Sequence, residues 1–174
     1  WIAVIAAASY AAWMDAAAAE RMARLTAFAA ISAGAVACFV AGWAADRVGK
    51  AEVAAAAMAV SCLAALATAW SFGGPPWLHL LAMLVWGASI APDSGQFSTL
   101  VADHAPPERA GSLMTLQTAL GFALTFLTVQ ATPMLAAATD WPTVLVVMAI
   151  GPALGIVAML RLRRLLIREA EGGA

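Results

Sequence analysis

Charge is scarce in this sequence: nine Lys and Arg and ten Asp and Glu among 174 residues make 11% of the chain, for a net charge of −1. That share, beside 64% hydrophobic residues and a mean hydropathy of +0.88, lies outside the range of soluble globular domains and marks a membrane protein. The nine bases gather in no stripe, which excludes a nucleic-acid partner. Cysteine is nearly absent too. Cys38 and Cys62 lie in apolar runs, without a His or second Cys at ligand spacing, so neither a disulfide framework nor a metal site is indicated. They read as small buried hydrophobes, and no cofactor is implied. The chain opens on Trp1 rather than Met, and no basic segment precedes its first apolar run. That run, Trp1 to Met14, falls short of the about 20 residues a spanning helix needs and reads as the tail of a cut helix.

What is present is a series of apolar windows, uncharged in all but the third: Leu25 to Ala45, Val53 to Leu78, Leu80 to Ala102, Ala110 to Thr139 and Trp141 to Leu160. Each can cross a hydrocarbon core about 30 Å thick as a helix. The third carries one ionisable side chain, Asp93. Gly73-Gly74-Pro75-Pro76, Pro106-Pro107 and Asp140-Trp141-Pro142 punctuate the boundaries. Helices are expected at about 1–14 (partial), 25–45, 53–72, 77–102, 110–136 and 141–162, in one transmembrane domain over 1–164 with a short cytoplasmic tail at 165–174. The loops are short, so adjacent helices are antiparallel neighbours in an all-α polytopic bundle.

Orientation follows from the bases. Arg47, Lys50, Arg109, Arg161, Arg163, Arg164 and Arg168 fall on one side and only Arg21 and Arg24 on the other, which places the C-terminus in the cytoplasm. The segment LRLRRLLIRE, from Leu160, is basic and partly amphipathic and is expected to lie on anionic headgroups.

The stretch Gly42-Trp43-Ala44-Ala45-Asp46-Arg47-Val48-Gly49-Lys50 puts one acid, two bases and two glycines at a tight turn. Gly42 would admit a neighbouring helix closely, Gly49 would permit the reversal, and Arg47 and Lys50 would hold the turn at the headgroups. Asp46 either caps the following helix or faces the positive N-terminus of another. An ordinary basic turn fits the same spacing. In context the stretch resembles the signature G-x-x-x-D-R-x-G-[RK] of the major facilitator superfamily (MFS), where it joins the second and third helices of each six-helix half. The resemblance makes the windows helices eight to twelve and Trp1 to Met14 the remnant of helix seven, so it covers nearly the whole chain. PDSGQFSTLV, LQTALGF and GPALGIVAMLRLRR are likewise similar to second halves of bacterial members. Family loops often continue with another base where Ala51 stands here.

The resemblance implies that helices seven and ten line a central cavity, eight and eleven flank it, and nine and twelve pack outside. Polar groups at membrane depth face protein or water, and they concentrate in windows ten and eleven. Ser89, Asp93 and Gln96 share one face of a helix; Gln117, Gly121, Thr125 and Thr128 share a face of the next. The second stripe fits either a path or simple helix-to-helix bonding. Pro92 leaves the Ala88 carbonyl without its usual donor and Gly95 loosens the same turn, so a kink with a free acceptor is expected beside Asp93. A carboxylate so placed holds a cation, proton or polar solute, or else bonds a neighbouring helix. Gly151 and Gly155, with Pro152 between, read as helix packing or a mild kink. Tyr10 faces the cavity or anchors at the interface; His79 reads as interfacial and His104 as a loop residue.

The expected function is therefore secondary active transport of a small solute by alternating access, coupled to protons or cations, through Asp93, Gln96, Ser89, Gln117, Thr125 and Tyr10, with Gly42, Asp46, Arg47, Gly49 and Lys50 as the conformational signature. The implied partners are the lipid bilayer, a small-molecule or ion substrate, and a missing N-terminal six-helix half, from the same gene or a partner chain. The implied site is a bacterial inner membrane. Two rival readings are a non-transporting assembly or sensor module and, with no second ionisable group at its depth, a membrane-embedded enzyme using Asp93.

Overall fold

The computed structural model describes the backbone of residues 1–172 and the side chains of residues 1–168. The described residues form seven helices and no strand: α1 (Ile2–Tyr10), α2 (Ala16–Val48), α3 (Lys50–Trp70), α4 (Pro76–Ile90), α5 (Pro92–His104), α6 (Ala110–Ala138) and α7 (Trp141–Gly172). Of these, α2, α3, α6 and α7 are long and apolar enough to cross a membrane.

α6 and the start of α7 fall at the edges of their windows, but α2 and the far end of α7 run well beyond theirs. Asp15 caps α2 by accepting the Ala18 N–H at 3.0 Å, so the helix begins before Glu20, Arg21 and Arg24, which the charge pattern leaves outside it. Glu20 and Arg24 pair one turn apart at 3.3 Å on its surface. A charged residue marks where lipid gives way to headgroups and water, and a helix ends only where its backbone bonding ends. The α2 helix, 33 residues and so about 50 Å long, therefore overshoots the hydrocarbon core. The same holds at the other terminus, where α7 continues through the arginines to Gly172; residues 173 and 174 of the expected tail lie outside the described residues.

The core is built on small side chains. α2 buries Ala19, Ala23, Thr26, Ala30, Gly34, Ala41 and Ala45, a stripe at three- and four-residue steps, and α3 buries chiefly alanines with Met58, Ser61 and Thr68. With little apolar contrast between a leucine and a lipid tail, helices associate by close approach, and small residues permit it. α2 and α4 cross with their backbones close together. A Cβ added at Gly34 would stand 2.9 Å from the Gly87 carbonyl oxygen, and one at Gly87 would stand 2.8 Å from that of Ala30. Larger side chains, Ile5, Tyr10, Met83, Trp86 and Leu145, fill the space left near one end.

α3 is central, packing on α7, α4, α5 and α2, while α6 packs chiefly on α5 and α7. Almost the whole surface of α6 is open; Thr132 is its one buried residue. Gly155 of α7 sits against Met58 of α3, whereas Gly151 meets nothing, so the glycine pair serves packing through one member. The close approach expected at Gly42 does not occur either. Cys38 is exposed because α2 turns that face outward, and Cys62 is half-buried against the core.

Candidate functional site

The third window, Leu80 to Ala102, does not fold as one kinked helix. It is two helices placed end to end, α4 ending at Ile90 and α5 beginning at Pro92, with Ala91 between them at φ −88 and ψ −31. Pro92 has no N–H to continue the α4 ladder, yet its fixed φ suits the first position of a new helix. The break brings the last carbonyls of α4 and the first amides of α5 to one level, and Asp93 stands in the first turn of α5 among them.

Around that break, Ser89 and Gln96 are buried and Asp93 half-buried. The Asp93 carboxylate accepts from the Ser94 hydroxyl at 3.2 Å. Ser89 donates to the Trp86 carbonyl at 2.8 Å, within its own helix. No hydrogen bond among the described residues joins Ser89, Asp93 and Gln96 to one another. Gln117 of α6 is reached from α5 by Ser98, whose hydroxyl donates to its Oε1 at 3.3 Å; sequence spacing gives no hint of this link across 19 residues. Thr125 and Thr128 turn their hydroxyls onto carbonyls of α6 itself, those of Gly121 and Thr125, at 2.9 Å each. Satisfied in this way, both threonines lie on the open face of α6 at no cost in unpaired groups.

Tyr10 is enclosed. Its hydroxyl bonds Thr26 of α2 at 3.0 Å, and its ring meets His79 of α4 edge-on at 5.8 Å. His79, expected at the interface, is instead fully buried: Ser71 bonds its Nδ1 at 3.0 Å, Phe72 packs edge-on at 5.9 Å, and its Nε2 has no partner among the described residues. The α1 helix closes over the α3–α4 turn at this point, with Ser9 accepting the Gly73 N–H and Trp13 donating to the Gly73 carbonyl, each at 2.9 Å. A helical window cannot reveal a histidine turned inward by a neighbouring turn. His104 is the last residue of α5, not a loop residue, with its ring on the Leu100 carbonyl at 2.9 Å.

The signature stretch is mostly helix. α2 runs to Val48, and the reversal is made by Gly49 alone, at φ 114 and ψ 145, a conformation L side chains rarely adopt. Asp46 does not cap α3, whose N-cap is Gly49. Arg47 folds back on its own helix, donating to the Trp43 carbonyl at 2.9 Å with its guanidinium 3.8 Å from the Trp43 ring centre. Lys50 reaches across to Asp103 near the end of α5, and Glu52, two residues on, pairs with Arg163 of α7 at 2.7 Å. These two bridges tie the start of α3 to α5 and α7. Between them lies a cavity of about 570 Å³, lined by Asp46, Lys50, Glu52, Asp103, His104 and Arg163 with Leu100, Leu166 and Ile167 as its apolar wall.

The family described as sugar (and other) transporter matches residues 5–164. Neither the curated proteins nor the solved structures contain a match. Transport of sugars or other solutes across a membrane is the activity of this family, which is not a family of enzymes. The match spans all of the helices described above save the outermost residues of α1 and α7. This polytopic membrane bundle belongs to the sugar (and other) transporter family of the major facilitator superfamily.

Proposed function

We propose that the chain supplies the coupling half of a secondary active transporter, moving a small solute by alternating access with a proton or cation taken up at Asp93. The observation that carries this reading is the break at Ala91, which sets the Asp93 carboxylate at the junction of two helix ends inside a segment of spanning length. Discontinuous helices of this kind hold ions and polar solutes in other transporter folds. Gln96 and Ser89 supply polar groups next to the carboxylate, and Gln117 and Thr125 extend the path along α6. The Gly42-to-Lys50 stretch, tied to α5 by Lys50 and followed at once by the Glu52 tie to α7, senses which way the bundle is open. A six-helix half covers the open face of α6, and the protein works in a bacterial inner membrane with the α7 terminus in the cytoplasm. The Lys and Arg count supports that orientation.

The test is uptake by proteoliposomes of the complete transporter, with the solute first found by counterflow over a panel of sugars and other small polar solutes. Asp93→Asn abolishes accumulation against a gradient while sparing downhill exchange, because the site keeps its shape and loses its charge. Asp93→Glu restores part of the coupling. Full gradient-driven accumulation by the Asn variant makes Asp93 scaffolding and removes the proposal.

A further inference from the structure

The four arginines near the end of α7 do not share a role. Arg163, its side chain half-exposed, is paired with Glu52 at 2.7 Å. Arg161, Arg164 and Arg168 are exposed, and none is ion-paired among the described side chains. At about 100° per residue, these three fall within a 60° arc on the side of the helix away from Arg163. The arc continues downward as Ile150, Leu154 and Val157, 53%, 67% and 65% exposed, so positions 150, 154, 157, 161, 164 and 168 form one outward stripe at steps of three and four. The stripe is aliphatic through Val157 and arginine from Arg161 onward. Leu165 lies beside the arginines, 48% exposed.

We infer that this stripe binds anionic phospholipid, with acyl chains along Ile150, Leu154 and Val157 and the headgroup phosphate held by Arg161 and Arg164, with Arg168 above them. The chemistry is complementary along its length. Aliphatic side chains meet acyl chains without loss, and planar guanidiniums take phosphate oxygens in bidentate fashion. The rise from Arg161 to Arg164 is about 4.5 Å, within the polar layer of about 5–7 Å on one side of a bilayer. An ammonium or a neutral headgroup would leave the positive charges uncompensated. Glu169 and Glu171 follow in sequence, so Arg161 and Arg164 carry most of the attraction. This site stands apart from the Asp93 pathway, and its occupancy is read without any transport assay.

The protein is reconstituted in nanodiscs of phosphatidylcholine containing phosphatidylglycerol, and the lipids that remain bound on release are counted by native mass spectrometry. The expected result is enrichment of phosphatidylglycerol over its bulk share, lowered at least tenfold by Arg161→Gln, Arg164→Gln and Arg168→Gln together. Arg164→Gln alone keeps the other bases that set topology, serves if the triple variant fails to insert, and lowers enrichment about fivefold, the equivalent of roughly 1 kcal/mol per basic side chain. Arg163→Gln releases Glu52 and leaves the enrichment unchanged. Enrichment that survives the triple or the Arg164 variant overturns the site, as does its loss in Arg163→Gln. Displacement of phosphatidylglycerol by inorganic phosphate would mark a plain anion site and overturn the lipid assignment.

Discussion

Lys50, the first residue of α3, forms an ion pair with Asp103, the next-to-last residue of α5, across 53 positions of sequence. The contact fastens the half-helix that carries Asp93 to the turn between α2 and α3. Both side chains are partly solvated, 28% and 47% exposed, so the pair is a positional tie more than a source of stability. Lys50→Glu and Asp103→Lys are each expected to lower stability by no more than about 1 kcal/mol, and the exchanged pair in one chain to recover most of the sum. Thermal unfolding in detergent of the two single variants and the double decides this; simple additivity in the double would mean the pair carries no coupling.

Gly49 is the one residue on which the α2–α3 reversal turns, with φ 114. Gly49→Ala is expected to cost about 1–3 kcal/mol through backbone strain alone. A Cβ there would also meet the Glu52 carboxylate, so the Glu52–Arg163 bridge loosens with it. A melting point equal to that of the native chain would show that the turn has another conformation open to it.

Pro92 divides α4 from α5 because it has no N–H. Pro92→Ala restores a donor for the Ala88 carbonyl, and the two helices are expected to join. Hydrogen exchange followed by mass spectrometry should then show slower exchange across 91–95, with stability no lower than native. Unchanged exchange would place the cause of the break in packing and not in the missing amide.

Asp140 caps α7, accepting the Thr143 amide at 2.7 Å. Bonds from the Thr143 side chain and then its amide hold the carboxyl below the ordinary aspartate range. The sign follows from that depression: the folded state binds its proton less readily than the unfolded chain, so the cap contributes above the usual aspartate value and its contribution is lost as pH falls below it. Between pH 6 and pH 3 the native chain should lose more thermal stability than Asp140→Asn, which keeps an acceptor and does not titrate. Equal losses would mean that the cap is immaterial.

Val48 and Gly74 stand at opposite ends of α3. Single cysteines at these positions, in a chain with Cys38 and Cys62 replaced by serine, are expected to react with an impermeant reagent from opposite sides of the membrane, Gly74 from outside intact cells. Labelling of both from one side would refute the arrangement drawn from the arginine count.

The sequence by itself determined that this chain is a helical membrane protein with spanning segments in a fixed order, because hydrocarbon admits backbone only when its polar groups are bonded within the segment, and that demand is written in runs of apolar residues. It also carried the turn chemistry: Pro92 and Gly49 announce the break and the reversal since each has backbone properties no neighbour changes. The tertiary structure alone decided which side chains meet. The lengths of α2 and α7 were misjudged from their windows because charge marks the lipid boundary and not the end of backbone bonding, as Asp15 and α2 show. His79 was misplaced because its burial is made by α1 and by Ser71 and Phe72 at the end of α3. Lys50 with Asp103, Glu52 with Arg163, and Ser98 with Gln117 join helices whose rotation about their axes is set by close packing at sites such as Ala30, Gly34 and Gly87. A single sequence records that these residues are small or charged; the angle at which one helix presents them to the next is fixed only when the helices pack.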